Sequence, residues 1–155
     1  MEEGERRIKM KKVLATLVCD PIHSGHINIL KTAKSYGYVI AGLVTDEGNE
    51  QKCNLNGSTP LLPFKERYAV LSSIKYVDEV IPVPLVFKDV LLDLKPDLYV
   101  HGDDWKNSLS GLDASVWSRD MVIKLMATWG GGIVEPAYTK DISSSSIKSN
   151  FFLAD

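Results

Sequence analysis

Short, nearly continuous apolar runs alternate along this chain with stretches in which apolar residues recur every three or four positions. Runs of the first kind suit strands buried on both faces, and stretches of the second kind suit helices packed on them. Residues 13–19 form the first run, closed by Asp20 and Pro21. Over residues 24–36 Ile27, Leu30 and Ala33 keep helical spacing, and Gly37 supplies a stop. Residues 38–44 predict a second strand. Residues 46–60 are polar and punctuated, which predicts a long loop of the kind that serves a ligand. Pro63 opens a helix with Phe64, Tyr68, Leu71 and Ile74 on one side. A strand over 77–83, a helix over 87–94 and a strand over 98–100 follow. A helix over 114–129, capped by Asp113 and stopped by Gly130, Gly131 and Gly132, leads to a short strand at 133–134 and a last helix over 143–151.

This order predicts an α/β fold, a Rossmann-like doubly wound five-stranded parallel sheet with helices on both faces. The chain has 155 residues, of which 45% are hydrophobic and 25% charged, so one domain over 11–155 can bury a real core. Residues 1–10 carry mixed charge and predict a solvated tail. A formal charge of -2 argues against a nucleic-acid partner but leaves room for a local basic pocket that takes small anions. Cys19 and Cys53 are too few and too unpatterned for a disulfide scaffold or a zinc site, which fits a reduced cytoplasmic setting. No apolar run approaches the ~20 residues of a membrane span.

The sharpest candidate chemistry is His23-Ser24-Gly25-His26, where the first strand hands over to the first helix. Ligands of doubly wound sheets bind at the carboxyl ends of the strands, and a helix N-terminus suits a phosphate. Gly25 permits close backbone approach, and two imidazoles there can donate to a phosphorus centre gaining charge. Trp117 and Trp129, with Met121, Leu125 and Met126, keep core spacing on the long helix. Cys19 has no base paired with it and reads as a buried strand-end residue. His101 stands one step from the crevice, its role open.

The stretch Asp20-Pro21-Ile22-His23-Ser24-Gly25-His26 resembles the D-x-x-H-x-G-H signature of the cytidylyltransferase-like nucleotidylyltransferases. Residues 76–81 (YVDEVI), 102–105 (GDDW) and 142–147 (ISSSSI) resemble, in order, three further blocks of bacterial glycerol-3-phosphate cytidylyltransferases. The resemblance runs from residue 13 to about 148. It implies a homodimeric enzyme that transfers a cytidylyl group from CTP to a small phosphate- or phosphonate-bearing alcohol by direct displacement, with Mg²⁺ carried on the triphosphate. His23 and His26 would then stabilise the transition state, together with Lys52, which matches the family's loop lysine. Asp20, Ser24, Gly25, Arg67, Asp104, Trp105 and Thr139 would line the nucleotide and acceptor sites. Ser143, Ser144 and Ser145 would hold the leaving pyrophosphate. No residue is expected to ligate a metal. The chain departs from the pattern at Leu17, where a glycine is usual, at Asn54 in place of a second lysine, and at Tyr138 in place of an arginine. The section from His101 to the serines also resembles cytidylyltransferase modules associated with phosphoenolpyruvate mutases, which implies a phosphonate acceptor. Two other readings remain open at this point: an adenylyltransferase of the same fold, and a nucleotide-binding module without turnover.

Overall fold

The computed structural model describes residues 10–106, 115–137 and 139–152. The expected tail therefore lies outside the described residues except for Met10, and so do Asp113, Ala114 and Tyr138. Five parallel strands form one sheet in the order β3-β2-β1-β4-β5. They are β1 (Lys12–Leu17), β2 (Tyr38–Val44), β3 (Glu79–Val83), β4 (Leu98–Val100) and β5 (Gly132–Val134). Helices α1 (Ser24–Tyr36), α2 (Asp46–Asn56), α3 (Phe64–Ser72), α4 (Lys88–Leu94), α5 (Arg119–Ala127) and α6 (Ser144–Phe152) complete it, with a 3-10 turn at Asp103–Lys106.

The alternation of side chains on β1 explains the two cores. Val13, Ala15 and Leu17 point to one face, where Leu30 and Ala33 of α1 and Leu71 of α3 cover them. Leu14 points to the other face, with Leu91 of α4 and Val122 and Met126 of α5. The chain winds outward from β1 through β2 to β3, then returns to place β4 on the other side of β1. The carboxyl ends of β1 and β4 thus flank the point where winding reverses, which is where a crevice opens in such sheets.

Residues 46–60 depart from expectation: most of that polar stretch is helix α2 rather than loop. Only Gly48, Asn49 and Cys53 of it are buried, so no apolar stripe advertises the helix. Its ends carry the signal instead. The Thr45 hydroxyl accepts the Gly48 N–H, Asp46 and Glu47 occupy the first turn, and Gly57 closes it in the left-handed region at φ 67°. The fifth helix starts later than expected, at Arg119, because the Ser118 hydroxyl accepts the Met121 N–H and caps it there. Trp117 therefore precedes α5 instead of riding on it.

Candidate active site

His23 is the N-cap of α1, and its Nδ1 accepts the Gly25 N–H at 3.0 Å. His26, three residues on, turns its own Nδ1 back to accept the His23 N–H at 3.1 Å. The two rings lie 3.9 Å apart between centroids. An Nδ1 that accepts a backbone N–H carries no proton, so each neutral ring holds its proton on Nε2. Each imidazole is thereby fixed as an Nε2–H donor. Gly25 serves this arrangement directly. A Cβ at that position would stand 2.7 Å from His23 Cε1, so a side chain there would displace the capping ring. The close approach expected of Gly25 thus involves a neighbouring imidazole within the motif itself.

Electrostatics keep both rings neutral. Burial lowers the His23 pKa, and burial, the neighbouring His23 and the Lys52 ammonium lower that of His26 to about 3. In the unfolded chain these histidines titrate near ~6.5. Below that pH the unfolded chain takes up protons that the fold refuses, so stability is full above pH ~6.5 and falls as pH drops toward 3. Thermal melts from pH 7 to pH 5 should show a falling Tm, and His26→Asn should flatten that slope. An equal slope in the variant would mean that His26 is not the group responsible.

The histidines border a cavity of about 450 Å³. Lys52 of α2, Thr139, Ser143, Ser144 and Ser145 line it too, so residues from distant parts of the sequence meet in one place. Thr139 accepts a hydrogen bond from the Asn28 amide of α1. Ser24, at the first position of α1, is exposed and does not line the cavity. Ser143 and Ser146 exchange backbone N–H to hydroxyl bonds at 3.0 Å, closing the first turn of α6. The Ser144 hydroxyl donates to the Pro21 carbonyl, which ties that helix end to the His23 turn. Backbone N–H groups in the first turn of a helix lack helical acceptors, so the start of α6 presents donors beside the imidazoles.

Asp20 lines the cavity but is only 1% exposed and is saturated. Its carboxylate accepts from Asn49 Nδ2, from the Leu61 and Leu62 N–H groups, and from Lys148 Nζ at 3.3 Å. Burial pushes its pKa up, but these partners outweigh burial and hold it below the ordinary carboxylate value. Asp20 thus organises the wall and is not positioned as a nucleotide ligand. Lys148 also donates to the Thr59 carbonyl at 2.9 Å, so it joins α6 to Asp20 and to the segment after α2. Lys148 and Asn49 escaped the sequence reading. Lys148 follows Ser144 by four residues and so shares its helix face, and Asn49 lies three residues before Lys52.

Two expected site residues fall elsewhere. Arg67 is 1% exposed and does not line the cavity. Its guanidinium donates to the carbonyls of Val18, Val44 and Leu62 and pairs with Asp46. The Val18 and Val44 carbonyls follow or end β1 and β2, where no further strand pairing satisfies them, the Leu62 carbonyl precedes α3, and Arg67's planar fork meets all three at once. Trp105 is 3% exposed and lies beneath the pocket wall. Its Nε1 donates to Glu135, and the His101 ring stacks on it at 4.3 Å. His101, left open by the sequence, is the member of this pair that lines the cavity. Asp104 falls in the 3-10 turn, and its side chain lies outside the described residues. Cys19 is inert, since burial pushes its thiol up to about 12.

Among the described residues no cluster of His, Cys, Asp or Glu is arranged to hold a metal, and no helix is long and apolar enough to cross a membrane. With the cavity's one described carboxylate, Asp20, already engaged, the donor set does not fit a resident cation.

Known proteins share this sequence pattern and fold. The chain is 37% identical over 106 residues to glycerol-3-phosphate cytidylyltransferase of Bacillus subtilis (strain 168), covering 66% of this chain and 79% of that protein. It is 37% identical over 97 residues to ethanolamine-phosphate cytidylyltransferase of Mus musculus, covering 61% of this chain and 23% of that protein. The crystal structure of a lipopolysaccharide core biosynthesis protein from Thermoplasma volcanium GSS1 superposes with a TM-score of 0.62 at 25% identity, covering 86% of this chain and 99% of that one. The Cytidylyltransferase-like family model matches residues 18–150, and the chain belongs to that family of nucleotidyltransferase enzymes.

Proposed function

We propose that this protein transfers a cytidylyl group from CTP to a small alcohol bearing a phosphate or phosphonate. The paired imidazoles carry the reading, each fixed by its Nδ1 bond as a neutral Nε2–H donor at the start of α1. An oxygen of the acceptor's phosphate or phosphonate attacks the α-phosphorus in line. The new P–O bond forms as the bond from that phosphorus to the α,β-bridging oxygen breaks, and pyrophosphate leaves with the electron pair. His23 and His26 donate hydrogen bonds to the charge that grows on the α-phosphoryl oxygens. Lys52 neutralises phosphate charge, and the first turn of α6 with Ser143, Ser144 and Ser145 receives the departing pyrophosphate. Thr139, on the wall beside Gly25, contacts the nucleotide. Mg²⁺ enters as part of the substrate, held by the triphosphate's own oxygens. No protein nucleophile takes part.

Pyrophosphate release tests this reading, with CTP and ATP each offered against glycerol 3-phosphate, 2-hydroxyethylphosphonate, phosphoethanolamine and phosphocholine. Release with CTP at least tenfold faster than with ATP, for at least one acceptor, is expected. Release with ATP alone would move the protein to adenylyl transfer, and nucleotide binding without release would make it a binding module.

A further inference from the structure

The active-site cavity contains an aromatic surface that the proposed chemistry leaves unused. Phe87 meets Trp117 edge-on at 5.1 Å between ring centroids and Tyr99 at 5.2 Å, and all three rings are buried and line the cavity. The Tyr99 hydroxyl is already bonded to Thr16. The Trp117 indole is not so provided for. Its Nε1 is the one buried side-chain nitrogen or oxygen without a hydrogen-bond partner among the described residues. A buried donor left in that state has lost its water and gained nothing, so it calls for a partner that the described residues do not supply.

We infer that Trp117 sets the acceptor's specificity, its Nε1–H donating to an oxygen at the end of the acceptor remote from the reacting phosphate or phosphonate. This rests on the cytidylyl-transfer reading and names the class of acceptor within it. The aromatic surface takes the carbon chain, and the indole selects what that chain ends in. An indole N–H is a donor only, so its partner must carry a lone pair. A hydroxyl does, and an ammonium does not. Charge points the same way. Asp20 is the one carboxylate among the described residues lining the cavity, and it is engaged by Lys148, Asn49 and two backbone N–H groups. Lys52 and Lys148 line the same space. An ammonium there would meet the Lys52 charge and a Lys148–Asp20 pair with no anion to spare. Attraction of a cation to the aromatic faces opposes this preference, but it leaves the indole N–H unpartnered. The acceptor class is therefore a hydroxyalkyl phosphate or phosphonate, and aminoalkyl ones are discriminated against.

Matched pairs that differ in one terminal group test this: 2-hydroxyethyl phosphate against 2-aminoethyl phosphate, and 2-hydroxyethylphosphonate against 2-aminoethylphosphonate. The wild-type protein should show a KM for the hydroxyl member at least about tenfold lower in one pair, the value of one well-placed hydrogen bond. Trp117→Phe keeps an aromatic ring and removes the donor. It should raise that KM about tenfold, leave the KM for CTP unmoved and abolish the preference. Equal use of both members by the wild type, or an unchanged KM in a folded Trp117→Phe variant, overturns the inference. Calorimetric binding of the four acceptors to the wild type, with a non-hydrolysable CTP analogue present, separates the two claims. Absence of pyrophosphate release from CTP with every acceptor would count against cytidylyl transfer. The order of binding still decides the inference then: tighter hydroxyl binding supports it, and equal binding refutes it. The same measurement stands if the variant does not fold.

Discussion

His26→Asn is expected to lower turnover by at least ~10² while leaving the fold in place. Asparagine puts an amide oxygen close to where the imidazole has Nδ1, so the bond from the His23 N–H survives. What disappears is the Nε2–H donor. His26→Gln is the complementary change, since its amide nitrogen can reach toward the Nε2 position while the backbone bond is lost. It should melt earlier than His26→Asn but retain more of the rate. The comparison separates the donor from the cap, which alanine would remove together. Steady-state kcat at saturating CTP, with Tm for each variant, makes the measurement. A His26→Asn protein turning over at the wild-type rate would remove His26 from the role assigned to it.

Arg67→Met should have the largest effect on stability and a small one on nucleotide binding. The guanidinium binds the carbonyls of Val18, Val44 and Leu62 in a site from which water is excluded. Methionine fills much of the volume but leaves those acceptors without their donor. Hydrogen bonds to a charged group contribute about 1.5–3 kcal/mol each, and such losses are not additive, so a total near ~4 kcal/mol is expected. The ion pair with Asp46 adds little, because the Asp46 side chain is 60% exposed. At roughly 2–4 °C per kcal/mol for a chain of this size, Tm should fall by roughly 8–16 °C. Protein that remains folded at 20 °C should bind CTP within about threefold of wild type, because Arg67 does not line the cavity. The opposite pattern, an unchanged Tm with CTP affinity lost, would restore the phosphate-handling role that the sequence suggested.

Arg67 illustrates why the sequence could be read so far and no further. Strand β2 and helix α1 were legible to the residue, because a buried strand is a continuous apolar run and α1 keeps its apolar spacing up to Gly37. The turn from His23 to His26 was legible because it follows a strand and opens a helix. Helix α2 was not, since it buries only small or polar residues and is specified by its caps. For Arg67, Trp105 and Trp117 the sequence gives a residue type suited to two fates and no direction for the side chain. An arginine beside a phosphate and an arginine binding carbonyls behind the wall occupy the same helix. Trp105, expected in the cavity, lies beneath His101, while Trp117 is a core residue as expected and also borders the cavity. Lys148 was overlooked because a lysine on a terminal helix usually lies in solvent, and only the fold reveals that it reaches Asp20.

The fate of labelled phosphorus tests the central claim most directly. Incubation with an acceptor and CTP labelled at the α-phosphate, in parallel with CTP labelled at the γ-phosphate, tracks both halves of the nucleotide. In-line cytidylyl transfer predicts the α-label in the acceptor product, in equal amount to the γ-label found in pyrophosphate. Recovery of the γ-label in the acceptor, or of the α-label as free CMP, would contradict it.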